Sequence, residues 1–215
     1  MINEPMTLLT DYALAGTCAW LGWRLSRSTG GHASRRLWAA AFLAVAVSAF
    51  AGGSYHGFAP LLGGLVAGLL WKFTVVTIGV FSFGMMAGSA CATTSGPLRA
   101  ALLAVAGVQL AAYCAWMLTQ DDYRFVIFNT AAVMAALLLL HGWSAASRGD
   151  AASQWVLGGV AVSVLAAAVQ YYRVAPHEHF NHNDLYHLIQ IAAMALFFKG
   201  GELLRDRTGP ARTGT

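Results

Sequence analysis

Charge is the scarcest property of this sequence: only 10% of its 215 residues are Asp, Glu, Lys or Arg. Soluble globular domains carry about 25%, so an ordinary water-soluble protein is excluded. Cysteine is also short. The three present, Cys18, Cys91 and Cys114, are odd in number, lack ligand spacing and lie inside apolar runs. Such cysteines read as packing residues, with neither a disulfide framework nor a thiolate metal centre. No linker is long enough to separate domains, and there is no internal repeat. A cleavable leader is not expected: the acidic Asn3-Glu4-Pro5 stands where a signal peptide is basic, and no small-residue cleavage site follows the first apolar stretch.

Hydrocarbon is what the chain has in excess. Hydrophobic residues make up 58% of it, and its mean hydropathy is +0.58, values that belong to a bilayer protein. A hydrocarbon core about 30 Å thick needs about 20 apolar residues per helix. Seven such runs occur, at about 7–26, 36–58, 64–91, 97–119, 123–146, 151–173 and 183–203. Turn-rich breaks such as SRSTGGHASRR, TTSGP, TQDD and ASRGDAA separate several of them. The predicted fold is therefore all-α, a polytopic membrane protein with seven transmembrane helices. A single domain spans 1–205, and 206–215 form a disordered cytoplasmic tail. With the N-terminus outside, Arg24, Arg27, Arg35, Arg36, Arg99, Arg148, Lys199, Arg205, Arg207 and Arg212 fall on the cytoplasmic side, ten of thirteen basic residues. That asymmetry orients the chain and accounts for its basic character without a nucleic-acid partner. Compact loops and Ala/Arg richness point to a bacterial inner membrane.

The same topology sorts the polar residues. Five of the seven histidines and six of the nine acids (Glu4, Asp11, Asp121, Asp122, Glu178, Asp184) share the outer rim. Four of those histidines sit in HEHFNHNDLYH, His177 to His187, which opens the last run. Ionisable groups at a membrane helix end are costly and mark functional sites. Residues three or four apart share a helix face, so Asp184 and His187 form a D-x-x-H pair with oxygen and nitrogen donors one turn apart. His56, in GGSYHGF at the end of the second run, is the natural third donor, and His182 is a reserve ligand. This set suits zinc with an open position for an activated water. Plainer readings stand beside it. Asn183 or Asp184 caps the helix, His177, His179 and His182 are solvated loop residues, and Tyr171, Tyr172, Trp71 and Tyr123 form an interfacial aromatic belt. Asp11 reads equally as a partner to the ligands, a general base or a packing residue. Lys199 lies too near the cytoplasmic end of the last run for a retinal Schiff base.

Seven helices, an outside N-terminus and histidines closing the second helix and opening the seventh resemble the alkaline ceramidase and progestin/adipoQ receptor superfamily of membrane hydrolases. That resemblance covers the topology of the chain and two motif residues. His56 matches the histidine of the S-x-x-x-H motif on helix two, and His187 the second histidine of H-x-x-x-H on helix seven. The serine position is Gly52, the first helix-seven histidine is Asn183, and the aspartate that follows the helix-two motif is absent. YHGF-like and FNHNDLYH-like segments also resemble those of uncharacterised bacterial membrane proteins. The resemblance implies a zinc-dependent hydrolase acting on a lipid-like amide or ester at the extracytoplasmic face, among membrane lipids. In that reading His56, Asp184 and His187 bind zinc, Asp11 is the base, and Ser54 or Arg124 steadies the oxyanion. The alternatives are a pH-responsive sensor or small-solute transporter working through its rim histidines, and a scaffold subunit.

Overall fold

The structure, a computed structural model, describes residues 2–208. It contains α1 (Pro5–Arg27), α2 (Ala33–Thr93), α3 (Gly96–Thr119), α4 (Arg124–Arg148), α5 (Ala151–Tyr171) and α6 (His182–Leu203). The described residues hold no strand beyond an isolated bridge between His177 and Phe180.

α2 is 61 residues long, which as one straight rod would reach about 90 Å at 1.5 Å per residue. It does not run straight. Gly63 leaves the helical region, with φ 70° and ψ 156°, a conformation open to glycine because it has no Cβ. Pro60, just before, lacks the N–H that would continue the ladder. The chain reverses there into two arms, 33–62 and 64–93. A Cβ placed on Gly84 would lie 2.8 Å from the Leu37 carbonyl oxygen, and one on Gly88 would lie 2.9 Å from that of Ser34. The Ser48 hydroxyl also donates to the Thr74 carbonyl at 2.9 Å. The first arm packs in turn on α1, where a Cβ on Gly53 would meet Asp11 and one on Gly57 would meet Leu8.

α2, α3, α4 and α5 are each long and apolar enough to cross a membrane. α1 and α6 have the length to cross but are less apolar, because their inner faces carry Asp11, Asp184 and His187 and their ends carry Arg24, Arg27, Lys199 and Glu202. The bundle is apolar outside, and its buried ionisable groups are gathered within an otherwise apolar core. Leu65, Val108, Leu139 and Trp143 are 78%, 69%, 73% and 68% exposed, whereas Asp184 and His141 are wholly buried. A protein in water does not present such continuous apolar cover; one in lipid must. This is an all-helical membrane protein.

Small residues and amides close the bundle. Gly159 abuts Phe197, and Gly200 abuts Val156 where α5 meets α6. Gln109 donates to Asn129, which donates to Ser82, while Gln170 and Gln190 reach Asn183 and Ser163. Of the three G-x-x-x-G pairs, Gly53/Gly57 and Gly84/Gly88 lie in helix contacts. Gly64 and Gly68 have nothing within 4 Å of where a Cβ would stand.

One end of the bundle is tied by the residues after α6. The Asp206 carboxylate accepts from the Ala33 and Ser34 amides at 2.7 and 2.9 Å, capping α2 from across the chain. Burial alone raises the Asp206 carboxyl, but the backbone N–H groups of Ser34 and Ala33 outweigh it and hold the group below the ordinary carboxylate range. Arg207 is fixed as well, its amide donating to Cys91 and its guanidinium to Thr93. The expected disordered tail at 206–215 thus begins with two anchored residues, and 209–215 lie outside the described residues. At the same end His141 is held between Ser153 and Ser89 at 2.8 and 3.0 Å. Ser153 in turn donates to Asp150.

Candidate functional site

The opposite end gathers the polar residues of α1 and α6. On α1, Thr7, Thr10 and Asp11 are spaced i, i+3, i+4 and so share one face; all three are buried. That face meets the first turns of α6. α6 opens with a reciprocal cap: the Asn181 side chain accepts from the amides of Asn183 and Asp184, and Asp184 accepts from the Asn181 amide at 2.7 Å. The other oxygen of Asp184 accepts the Thr7 hydroxyl at 2.9 Å. Asp184 is therefore fully engaged in capping and in joining α6 to α1.

His187, one turn further along α6, meets the remaining two groups of α1. Its Nε2 lies 3.2 Å from Asp11 Oδ1, and its Nδ1 lies 3.0 Å from Thr10 Oγ1. An imidazole held by a carboxylate on one nitrogen and a hydroxyl on the other is fixed in orientation and can pass a proton between them. The Thr10 hydroxyl also lies 3.1 Å from the carbonyls of Met6 and Thr7. Its single proton goes either to the ring, leaving His187 neutral, or to a carbonyl, in which case Nδ1 carries the proton and donates. Two protonation states thus share one geometry.

The first arm of α2 forms the third wall. A Cβ at Gly52 would lie 3.8 Å from Asp11 Oδ2, and one at Gly53 would lie 2.8 Å from Asp11 Cβ. Asp11 fits against this arm because neither position has a side chain. His56 lies one turn beyond Gly52 and forms its own pair, Nδ1 to Glu4 Oε2 at 3.1 Å. Asn3 joins the same rim, donating its amide to the Gly57 carbonyl at 3.1 Å. Two histidine–carboxylate pairs therefore stand on neighbouring turns of one seam, the inner pair buried and the outer pair half-buried.

The other expected site residues lie elsewhere. Ser54 sits on the far side of its helix from Gly52; it donates to the Phe50 carbonyl at 2.7 Å and lies 3.0 Å from Tyr12 Oη. Arg124 is solvent-facing and pairs with Asp122; that hydrogen bond holds the Asp122 carboxyl below its ordinary range. Neither is within hydrogen-bonding reach of His187 in the contacts described. His182 opens α6 without joining His56 or His187, and His177 and His179 are exposed loop residues. Among the described residues no three His, Cys, Asp or Glu side chains converge as a metal-holding group. The donor set His56, Asp184, His187 and His182 does not fit zinc as it stands. Asp184 is engaged by the cap and Thr7, His187 by Asp11 and Thr10, and His56 by Glu4.

The segment EPMTLLTDY already places Glu4 and Thr10 near the rim with Asp11; Thr7, and the pairing of Thr10 with His187 and of Glu4 with His56, are what sequence reasoning overlooked. The signal was present as three polar residues on one face of an otherwise apolar helix. Threonine gives that signal weakly, because inside lipid its hydroxyl commonly bonds to its own helix.

No curated protein and no solved structure matches the chain. A family model does match, over residues 6–206, a stretch that includes both histidine–carboxylate partners His56 and His187 and the buried Asp11 and Asp184. The chain belongs to DUF6962, a family of unknown function.

Proposed function

We propose that this protein is a membrane-embedded hydrolase acting on a lipid-like amide or ester at the extracytoplasmic face, through acid–base chemistry at His187. The observation that carries this reading is His187 bridging Asp11 and Thr10. It reproduces the order of hydroxyl, imidazole and carboxylate by which hydrolases activate a nucleophile. Asp11 orients the ring and balances the imidazolium. The Thr10 hydroxyl passes to Nδ1 the proton of a water attacking the substrate carbonyl, and the imidazolium then protonates the leaving amine or alkoxide. No step passes through a metal ion, because the imidazole nitrogens of this pair are already partnered.

The test is turnover of fluorogenic N-acyl amide and acyl ester substrates by purified protein in lipid nanodiscs. His187→Ala and Asp11→Asn are expected to lower turnover by about 10²–10⁴-fold, the range for loss of a general base, with Thr10→Ser the mildest change. Equal turnover in wild type and His187→Ala sinks the reading. Metal content measured on the same preparation separates the zinc mechanism that the resemblance implies, since stoichiometric zinc lost in His56→Ala would replace the metal-free route.

We further infer seven crossings, with α2 counted twice through its reversal at Gly63, the N-terminus outside and the C-terminus cytoplasmic. The distribution of cations supports this. Arg24, Arg35, Arg99, Arg148 and Arg207 gather at the end away from His187, through contacts with Glu202, Leu204, Thr93 and Thr94, and cytoplasmic ends carry the positive charge. Single cysteines at Gly30 and His179, in a variant lacking the three native ones, are expected to label from opposite sides in intact cells. Labelling from the same side refutes the topology.

A further inference from the structure

We propose that the cytoplasmic end of the bundle seats the headgroup of an anionic phospholipid. The site is built where the second arm of α2 turns into α3. Three guanidiniums converge on that turn: Arg99 donates to the carbonyls of Cys91 and Thr94, Arg148 to that of Thr93, and Arg207 also to that of Thr93. Arg99 additionally bonds the Arg207 carbonyl, so the three form one cluster.

Their charge is compensated only in part, by Asp150 acting on Arg148 without a direct pair. Among the described residues none of the three forms an ion pair with a carboxylate. The acids nearest in the fold are committed elsewhere, Asp150 to Ser144, Ser153 and the Ala152 amide, and Asp206 to the amides of Ala33 and Ser34. Carbonyl partners satisfy hydrogen-bond geometry without neutralising the cations. Each guanidinium has five N–H donors, and Arg148 and Arg207 each spend one of them on the carbonyl of Thr93.

A groove of about 440 Å³ adjoins the cluster, lined by Thr93, Thr94, Leu98, Leu139, Trp143 and Arg207 among others. Its polar end is formed by Arg207, the member of the cluster that lines it, with Thr93, Thr94 and Ser95; its remainder is the lipid-facing surface of α3 and α4, where Leu98 is 59% and Trp143 68% exposed. A cationic end and an apolar flank at the cytoplasmic edge of a bilayer match a phosphate with acyl chains attached. Phosphate takes the free N–H groups of Arg148 and Arg207 in charge-assisted bonds, and one acyl chain runs along Leu98, Leu139 and Trp143. This inference is independent of the chemistry at His187, which lies at the other end of the bundle.

The full chain in detergent, titrated with phosphatidylglycerol or phosphatidylcholine of identical chains and followed by native mass spectrometry, tests it. Phosphatidylglycerol is expected to bind at least tenfold more tightly. Arg148→Gln/Arg207→Gln should lower its affinity by about thirtyfold, the effect of two surface cations, while leaving phosphatidylcholine unchanged. Equal binding of the two lipids by wild type, or an unchanged phosphatidylglycerol affinity in the variant, overturns the proposal. So does equal competition by glycerol phosphate, which would mean that the groove adds nothing. Should the variant fail to fold, brominated acyl chains provide the readout on the native chain. With Trp143→Phe as reference, brominated phosphatidylglycerol should quench Trp143 more strongly than brominated phosphatidylcholine, and equal quenching also refutes the site.

Discussion

Replacing His187 by alanine is expected to cost about 1–3 kcal/mol of stability, the penalty for leaving a buried polar group without its partner. Asp11 is 6% exposed, and its Oδ1 is paired with His187 across the α1–α6 contact. Removing the ring leaves the Asp11 carboxyl group facing an apolar helix, with Gly52 and Gly53 offering no side-chain donor. The double variant Asp11→Leu/His187→Ala should recover much of that loss, because it removes the polar group together with its partner and refills some of the space. Unfolding in detergent by SDS titration or by thermal melting reads wild type, the single variants His187→Ala and Asp11→Leu, and the double variant. If the two single losses simply add in the double variant, the pair is not coupled, and the geometry assigned to the site is wrong. The same cycle separates stability from catalysis: a double variant that is stable but inactive retains the fold while lacking the acid–base group.

Gly88→Val is expected to be comparably damaging for a different reason. A Cβ there would lie 2.3 Å from Trp38 Cδ1 and 2.9 Å from the Ser34 carbonyl oxygen. Trp38 is wholly buried and contacts His141 and Phe197 edge-on, so it has nowhere to withdraw. Overpacking of this kind costs about 1–3 kcal/mol or more, and in lipid the arms of α2 have no hydrophobic drive to hold them together once close contact is lost. Gly68→Ala is the control. Nothing lies within 4 Å of its Cβ position, so this change should be neutral or raise stability by up to about 1 kcal/mol through helix propensity. Equal effects at positions 68 and 88 would show that the reversal of α2 does not bring its arms together as described.

These two glycine pairs show how far sequence pattern reaches. Gly64-x-x-x-Gly68 and Gly84-x-x-x-Gly88 read identically along the chain, yet the second faces a helix and the first does not, since rotation about a helix axis depends on neighbours that only packing supplies. The amides behaved more legibly. Of the five amides expected to bond across helices, Gln109, Asn129, Gln170 and Gln190 do so, because an unsatisfied amide in hydrocarbon is expensive wherever the helix turns, whereas Gln154 is exposed near the start of α5. The reversal at Gly63 fits the break between the second and third apolar runs.

The candidate site was only partly legible. His56, His187, Asp11 and Asp184 stood out because ionisable groups in apolar runs are rare, and the structure brings all four to one end of α1, α2 and α6. Their partners were not legible. A D-x-x-H spacing is compatible both with two ligands facing a shared ion and with a cap followed by an acid–base group. Nothing in the spacing says that Asn181 reaches Asp184 or that Thr7 waits across the contact.

Composition and the placement of arginine were enough to establish that the chain is helical, that its surface faces lipid and which of its ends carries the cations, because each is an average over many residues. Which carboxylate meets which imidazole is set by a few ångströms of helix rotation. That is a property of neighbouring surfaces closing on one another, and no single stretch of residues contains it.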